Sequence, residues 1–172
     1  NQTLYVSHRD KGVIRYQVED CKFKRLDDVI KNDQKIPKYG NLNVHDNHLF
    51  ICNNEYLEIF DLSNPQAGPL SSSLFIDSGY NLFCNKDILV IGAGAGLVIL
   101  IDIGDKAKPE YLSTIREDQT PSNMHVEFVD HYLISRSVID ISDPTSPKFI
   151  CHTKDELVPC FSYDNSLPKG VY

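Results

Sequence analysis

The sequence predicts an all-β chain built as a radial repeat, and three observations predict it. Three apolar runs each close on an aspartate and then a polar turn: 57–69 (LEIFDLSNPQAGP), 97–109 (LVILIDIGDKAKP) and 137–147 (SVIDISDPTSP). A proline follows each Asp by seven or eight residues, Pro69 after Asp61, Pro109 after Asp102 and Pro147 after Asp140. Successive aspartates stand 41 and then 38 residues apart. A period near 40 made only of short strands and turns is the signature of propeller blades. The predicted fold class is a small β-propeller of about four four-stranded blades.

The elements follow in order. Aligned on their second strands, four units begin TLYVSH (3–8), HLFICN (48–53), ILVIGA (88–93) and YLISRS (132–137), with Leu4, Leu49, Leu89 and Leu133 in equivalent places. Third strands follow as GVIRYQV, YLEIFDL, LVILIDI and VIDI, and fourth strands as FKRLDDV, LSSSLFI, YLSTI and KFICHT. Units two to four also carry a leading strand, NLNVHDN (41–47), NLFCNKD (81–87) and HVEFVDH (125–131). The pairs Asp46–Asn47, Lys86–Asp87 and Asp130–His131 suit tight hairpins between first and second strands. Unit one has no leading strand ahead of it. VPCFSYDN (158–165) reads as that strand, so the first blade is expected to be completed by the C-terminal strand, which removes exposed sheet edges.

The expected organisation is a single domain over residues 1–172, with blades at about 1–30 plus 157–165, 40–77, 80–116 and 124–154. A fragment of a larger propeller, or a half that pairs with a second copy, are the competing arrangements. The polar segment 30–39 (IKNDQKIPKY) links blades.

The turns have their own chemistry. Asn64–Pro65 and Asp143–Pro144 place an Asx side chain at the first turn position and a preset φ at the second. Asp61, Asp102 and Asp140 can likewise hold turn N–H groups, so their role is read as structural. Unit one has Gln17 there and lacks the proline.

VIDISDPTSP, LEIFDLSNP and LVILID together resemble the LVIVD repeat, a propeller repeat in which a Leu-Val-Ile-Val-Asp strand runs into Ser-Asp-Pro. The resemblance covers about 40–155. It implies a propeller, often within surface or secreted bacterial proteins, and implies no reaction and no catalytic set. Unit three departs from it with Gly104–Asp105–Lys106, which predicts a different turn. The WD repeat fits less well, because the chain has no Trp.

Composition narrows the function classes. With 172 residues, 41% hydrophobic and 24% charged, the chain can bury a core of its own. A formal charge of −7 without a basic run argues against nucleic-acid binding, which depends on neutralising phosphates. No apolar run approaches the roughly 20 residues of a spanning helix, so membrane insertion is not expected. The beginning NQTLYVSHRDK lacks the build of a secretory signal and does not start with Met, so the chain is expected to be processed or cut from something longer. Compartment is left open. Five cysteines (Cys21, Cys52, Cys84, Cys151, Cys160) form no CxxC pair and are read as reduced.

Several motifs imitate catalytic ones. Gly92, Gly94 and Gly96 suggest a dinucleotide fingerprint, yet a β-branched run follows where a helix must hold the pyrophosphate. His8–Arg9–Asp10 copies a kinase triplet without its partner motifs. The six histidines lack HxxxH and HExxH spacing. No cofactor, metal site or catalytic set is expected.

A recognition surface is expected where the loops before the first strands and the loops joining second to third strands share one face. Its candidates are Arg9, Asp10, Tyr39, Asn41, Asn53, Asn54, Tyr80, Asn81, His125 and Arg136. Aromatic, Arg and Asn side chains are effective contact residues for a protein partner. The expectation is a non-catalytic module that binds another protein, the acidic charge pointing to a basic one as in an inhibitor-type complex, with self-association if the ring is incomplete. An enzyme or small-ligand receptor at the channel mouth is the alternative, with His125 as acid/base and Asp10 or Glu127 as its carboxylate. A structural module of a larger surface protein is the third reading.

Overall fold

The structure, a computed structural model, describes residues 2–8, 11–30, 41–52, 56–75, 79–93, 97–116, 127–134 and 137–152. Among the described residues fifteen strands run in chain order. The first sheet holds β1 (Gln2–His8), β2 (Gly12–Glu19) and β3 (Lys22–Ile30). The second holds β4 (Asn41–His45), β5 (His48–Cys52), β6 (Tyr56–Asp61) and β7 (Ser71–Phe75). The third holds β8 (Gly79–Asn85), β9 (Ile88–Ala93), β10 (Leu97–Asp102) and β11 (Glu110–Arg116). The fourth holds β12 (Glu127–Val129), β13 (Tyr132–Ile134), β14 (Ser137–Asp140) and β15 (Lys148–His152).

Every sheet is an antiparallel meander, so chain order and spatial order coincide. The expected four blades are present, the first with three strands among the described residues and the rest with four. The segment 158–165, expected to complete the first blade, lies outside the described residues.

The second and third strands of the two middle units read as nearly unbroken apolar runs because both of their faces are covered by neighbouring sheets, as in any doubly buried strand. Alternate residues face opposite neighbours. In β5, Leu49 and Ile51 pack toward the first sheet with Val13, Val29, Ile30 and Phe60. Phe50 and Cys52 pack the other way, with Leu82, Leu89, Ile91 and Ile101 of the third sheet. Val90, Val98 and Leu100 then meet Leu133, Ile139 and Ile141 of the fourth. Three cores thus join four sheets in succession. Among the described residues no core cluster joins the fourth sheet to the first.

First strands are innermost. The Asn43 side chain on β4 donates to the Leu82 carbonyl of β8 at 3.2 Å, which sets adjacent inner strands side by side. Polar contacts also stitch the rim. Gln66 donates from Nε2 to the Val29 carbonyl at 2.8 Å, and Ser113 Oγ donates to the Pro144 carbonyl at 2.7 Å. In both cases the turn after a third strand touches the outer strand of the preceding blade.

Candidate functional site

Antiparallel order sorts the connections to two ends. One end, the loop end, receives the β1–β2, β5–β6, β9–β10 and β13–β14 connections and the chain as it arrives at β4, β8 and β12. The other, the turn end, carries the first-to-second strand hairpins and the third-to-fourth strand turns.

At the loop end, Asn41 pairs with Cys52 as the outermost pair of β4 and β5, and Asn81 pairs with Gly92, one pair inside Gly79–Ala93. β4 and β8 are adjacent inner strands, so the two asparagines share this end. Asn41 is exposed and Asn81 half-buried. Tyr80 lies in β8, with its side chain outside the described residues. Arg9, Asp10, Tyr39, Asn53, Asn54, His125 and Arg136 lie outside the described residues. Glu127 opens β12. A strand, β10, follows the glycines at 92–96, which removes the dinucleotide reading because no helix N-terminus is there to receive a phosphate.

The turn end is the better defined. Asp61, Asp102 and Asp140 each accept the N–H two residues on, from Ser63 at 2.7 Å, Gly104 at 2.7 Å and Ser142 at 2.8 Å. These are Asx turns, formed where an Asp ends an extended run. The next residue nucleates a second turn. The Asn64, Asp105 and Asp143 carbonyls accept from Ala67, Lys108 and Ser146 at 3.0–3.1 Å. Each unit then anchors to its own hairpin, with the N–H groups of Leu62, Ile103 and Ile141 donating to Asn47, Asp87 and His131.

The third blade therefore does not form a different turn, contrary to expectation. Asp105 accepts from the Ala107 N–H at 3.0 Å as Asp143 does from Thr145. Lys106 stands where the neighbouring blades have Pro65 and Pro144, and its ammonium lies 3.9 Å from the Asp87 carboxylate. Asn64 makes no side-chain cap bond, so in the second blade proline and backbone hold the turn. That blade also has one extra residue, Gly68, at φ +94, a left-handed conformation that glycine adopts without strain.

These contacts account for the carboxylates electrostatically. The Ser63 hydroxyl and N–H hold the Asp61 carboxyl below the ordinary carboxylate range. The Ser142 N–H and hydroxyl do the same for Asp140, and the Thr145 hydroxyl and N–H for Asp143. Hydrogen bonds to the charged form favour it. The aspartates serve the turns, as the sequence indicates.

The sequence reading missed a polar staple between inner strands. His45 donates from Nε2 to the Lys86 carbonyl at 3.0 Å, and Asn85, at the same place one blade on, donates to the Asp130 carbonyl at 3.1 Å. A donor side chain just before the tight turns of the second and third blades was its only signal. The hairpins themselves match expectation: Asp46, Asn47, Lys86 and Asp130 have positive φ, as tight hairpin turns require.

Among the described residues no group of three or more His, Cys, Asp or Glu is placed to hold a metal ion. Among the described residues Cys21, Cys52, Cys84 and Cys151 form no disulfide, and burial pushes the Cys52 and Cys84 thiols up to about 12. Burial also raises the Glu58 carboxyl. A shallow groove of about 490 Å³ lies over the first sheet, lined by Gln2, Val18, Glu19, Asp20, Cys21 and Phe23. No helix among the described residues is long and apolar enough to cross a membrane.

The LVIVD repeat matches residues 38–74 and 128–154, the second and fourth blades. The unmatched third blade is the one whose turn has Lys106 in place of proline. No curated protein matches the chain. Among solved structures the chain is similar to the computationally designed Ika8 protein, at 15% identity and TM-score 0.59, covering 87% of this chain and 45% of that one. It is similar to the computationally designed Ika4 protein at 13% identity and TM-score 0.54, covering 88% and 86%. It is also similar to the WD40 domain of SCAP from fission yeast, at 13% identity and TM-score 0.58, covering 91% and 40%. At such identities the likeness shows the fold alone, a β-propeller. The chain spans less than half the length of the Ika8 and SCAP chains.

Proposed function

We propose that the chain is a non-catalytic binding module that recognises another protein through the loop end of its blades. One observation carries this: the two ends of the blades use their polar residues differently. At the turn end the aspartates of three blades repeat one set of internal hydrogen bonds. At the loop end the connections differ in sequence from blade to blade, Arg9–Asp10, Asn53–Asn54–Glu55, Gly94–Ala95–Gly96 and Ser135–Arg136. Varied loops on a repeated, densely packed scaffold are how recognition surfaces are built. The net charge of −7 favours a basic partner, which it would also steer during encounter.

The test is recovery of a partner by the immobilised chain from its own cell extract, with an Arg9→Ala/Arg136→Ala version alongside. A stoichiometric protein, retained by the unaltered chain and lost with the double variant, is the expected result. A basic partner would also elute as salt is raised. Equal recovery by both versions would remove the loop end from the interface.

A further inference from the structure

We infer that two copies of this chain close into one ring of eight sheets, with the fourth sheet of each copy packed against the first sheet of the other. The inference rests on positions the repeat makes equivalent. Leu49, Leu89 and Leu133 all pack against the preceding sheet and are fully buried. Leu4, the same position in the first sheet, is 40% exposed. It does not stand alone. Leu4 pairs with Tyr16, and Gln2 pairs with Val18, which pairs with Phe23. Cross-strand partners share a face, so these residues lie on the side turned away from the second sheet; the groove covers its Gln2, Val18 and Phe23 end, while Ile14 at its other end is buried.

The far end shows the complement. Leu112 packs against the core between the third and fourth sheets, whereas its fourth-sheet equivalent, Ile150, is 53% exposed. Phe50 and Val90 are fully buried against the following sheet, while Ile134 in the same place is only half-buried. His45 and Asn85 bond the next inner strand, but the fourth sheet has Val129 there, 50% exposed. Each end therefore presents half of the apolar interface that the chain repeats internally three times, and the two halves are of opposite kind.

Opposite ends of this kind form head-to-tail contacts, which must either close into a ring or run on as a filament. A second copy is the occupant favoured here. Within one chain no core cluster joins the fourth sheet to the first among the described residues. The chain covers 45% of the Ika8 chain, as part of a longer chain would, and 86% of the Ika4 chain, as a unit of its own would.

Sedimentation equilibrium of the full chain tests this. The expected mass is twice 19.5 kDa. Leu4→Asp and Ile150→Asp should each raise the dissociation constant by on the order of 100-fold, since a charge would be buried without a partner. Tyr111→Asp should leave the dimer intact, because Tyr111 is 57% exposed on a blade that already has both neighbours. Mixing the Leu4→Asp and Ile150→Asp chains restores one unaltered interface and should recover part of the dimer. Ile150 sits on an outer strand, so that variant decides the matter alone if Leu4→Asp weakens the far-UV β signal. A monomer, an open polymer, or a dimer indifferent to both substitutions would overturn the inference. Loss of partner recovery in the preceding experiment would leave this result untouched.

Discussion

Leu89→Ala is the sharpest probe of how the blades hold one another. Leu89 is fully buried in the core between the second and third sheets, among Phe50, Leu57, Ile91 and Ile101. Removing roughly three methylene equivalents at about 0.8 kcal/mol each forfeits about 2.4 kcal/mol of transfer free energy. The two sheets are held in place by other contacts and close only partly on the space, so a cavity term brings the total to about 3–5 kcal/mol. Because neighbouring blades are coupled through such interfaces, the loss should appear as one cooperative transition with a lower midpoint and an unchanged m-value. Urea unfolding followed by Tyr fluorescence and by far-UV circular dichroism measures both, the chain having 9 Tyr and no Trp. Asn85→Ala removes an inter-blade contact of the other kind, an exposed hydrogen bond, and should cost about 0.5–1.5 kcal/mol. Tyr111→Ala, on the outer rim of the same blade, should stay within about 0.5 kcal/mol. A Leu89→Ala loss below about 1 kcal/mol would refute the packing of this core. Two separate transitions would refute the coupling.

Glu58→Gln should change the pH profile of stability. Burial raises the Glu58 carboxyl above its ordinary 4.5, so the folded chain holds that proton more tightly than the unfolded one. Stability then falls as pH rises from 4.5 through the raised value. The variant lacks this fall, so its melting-temperature advantage should grow across that window and then level; a gap independent of pH would contradict it. Asp61, Asp140 and Asp143 act in the opposite sense. Their depressed carboxyls contribute stability that is present above 3.8 and lost as pH falls through the folded values, so the triple Asn variant should show a shallower acid limb in thermal melts. Gly68→Ala should cost about 1 kcal/mol in urea unfolding, because φ is +94 there while the space for a Cβ is open. Iodoacetamide at pH 8 should label exposed Cys21 well before Cys52 and Cys84, whose thiols are pushed up to about 12; mass spectrometry of partial digests reads the order, and early loss of Cys52 would mean that its blade opens.

The repeat was legible because blade building is local. A strand that is covered on both faces must be apolar throughout, so β5, β9 and β10 announce themselves as runs. The turn after a third strand needs an Asp side chain on a nearby N–H, so Asp61, Asp102 and Asp140 fix the period. The hairpins at 46–47, 86–87 and 130–131 are equally local. Lys106 was misread for a related reason: the sequence shows a missing proline, but not the Asp87 carboxylate that the fold brings beside it.

What the chain alone could not disclose is everything that depends on which sheet lies next to which. His45 and Asn85 look like ordinary turn residues until the following inner strand supplies a carbonyl. Leu4 and Leu89 are indistinguishable in sequence, both opening the second strand of a blade. Only the tertiary structure separates them, because Leu89 has a preceding sheet to exclude water from it and Leu4 among the described residues has none. The sequence by itself determined the blade, since strands and turns are specified over a few residues. The tertiary structure decided the interfaces and the two apolar ends, since burial is a property of neighbours rather than of a residue.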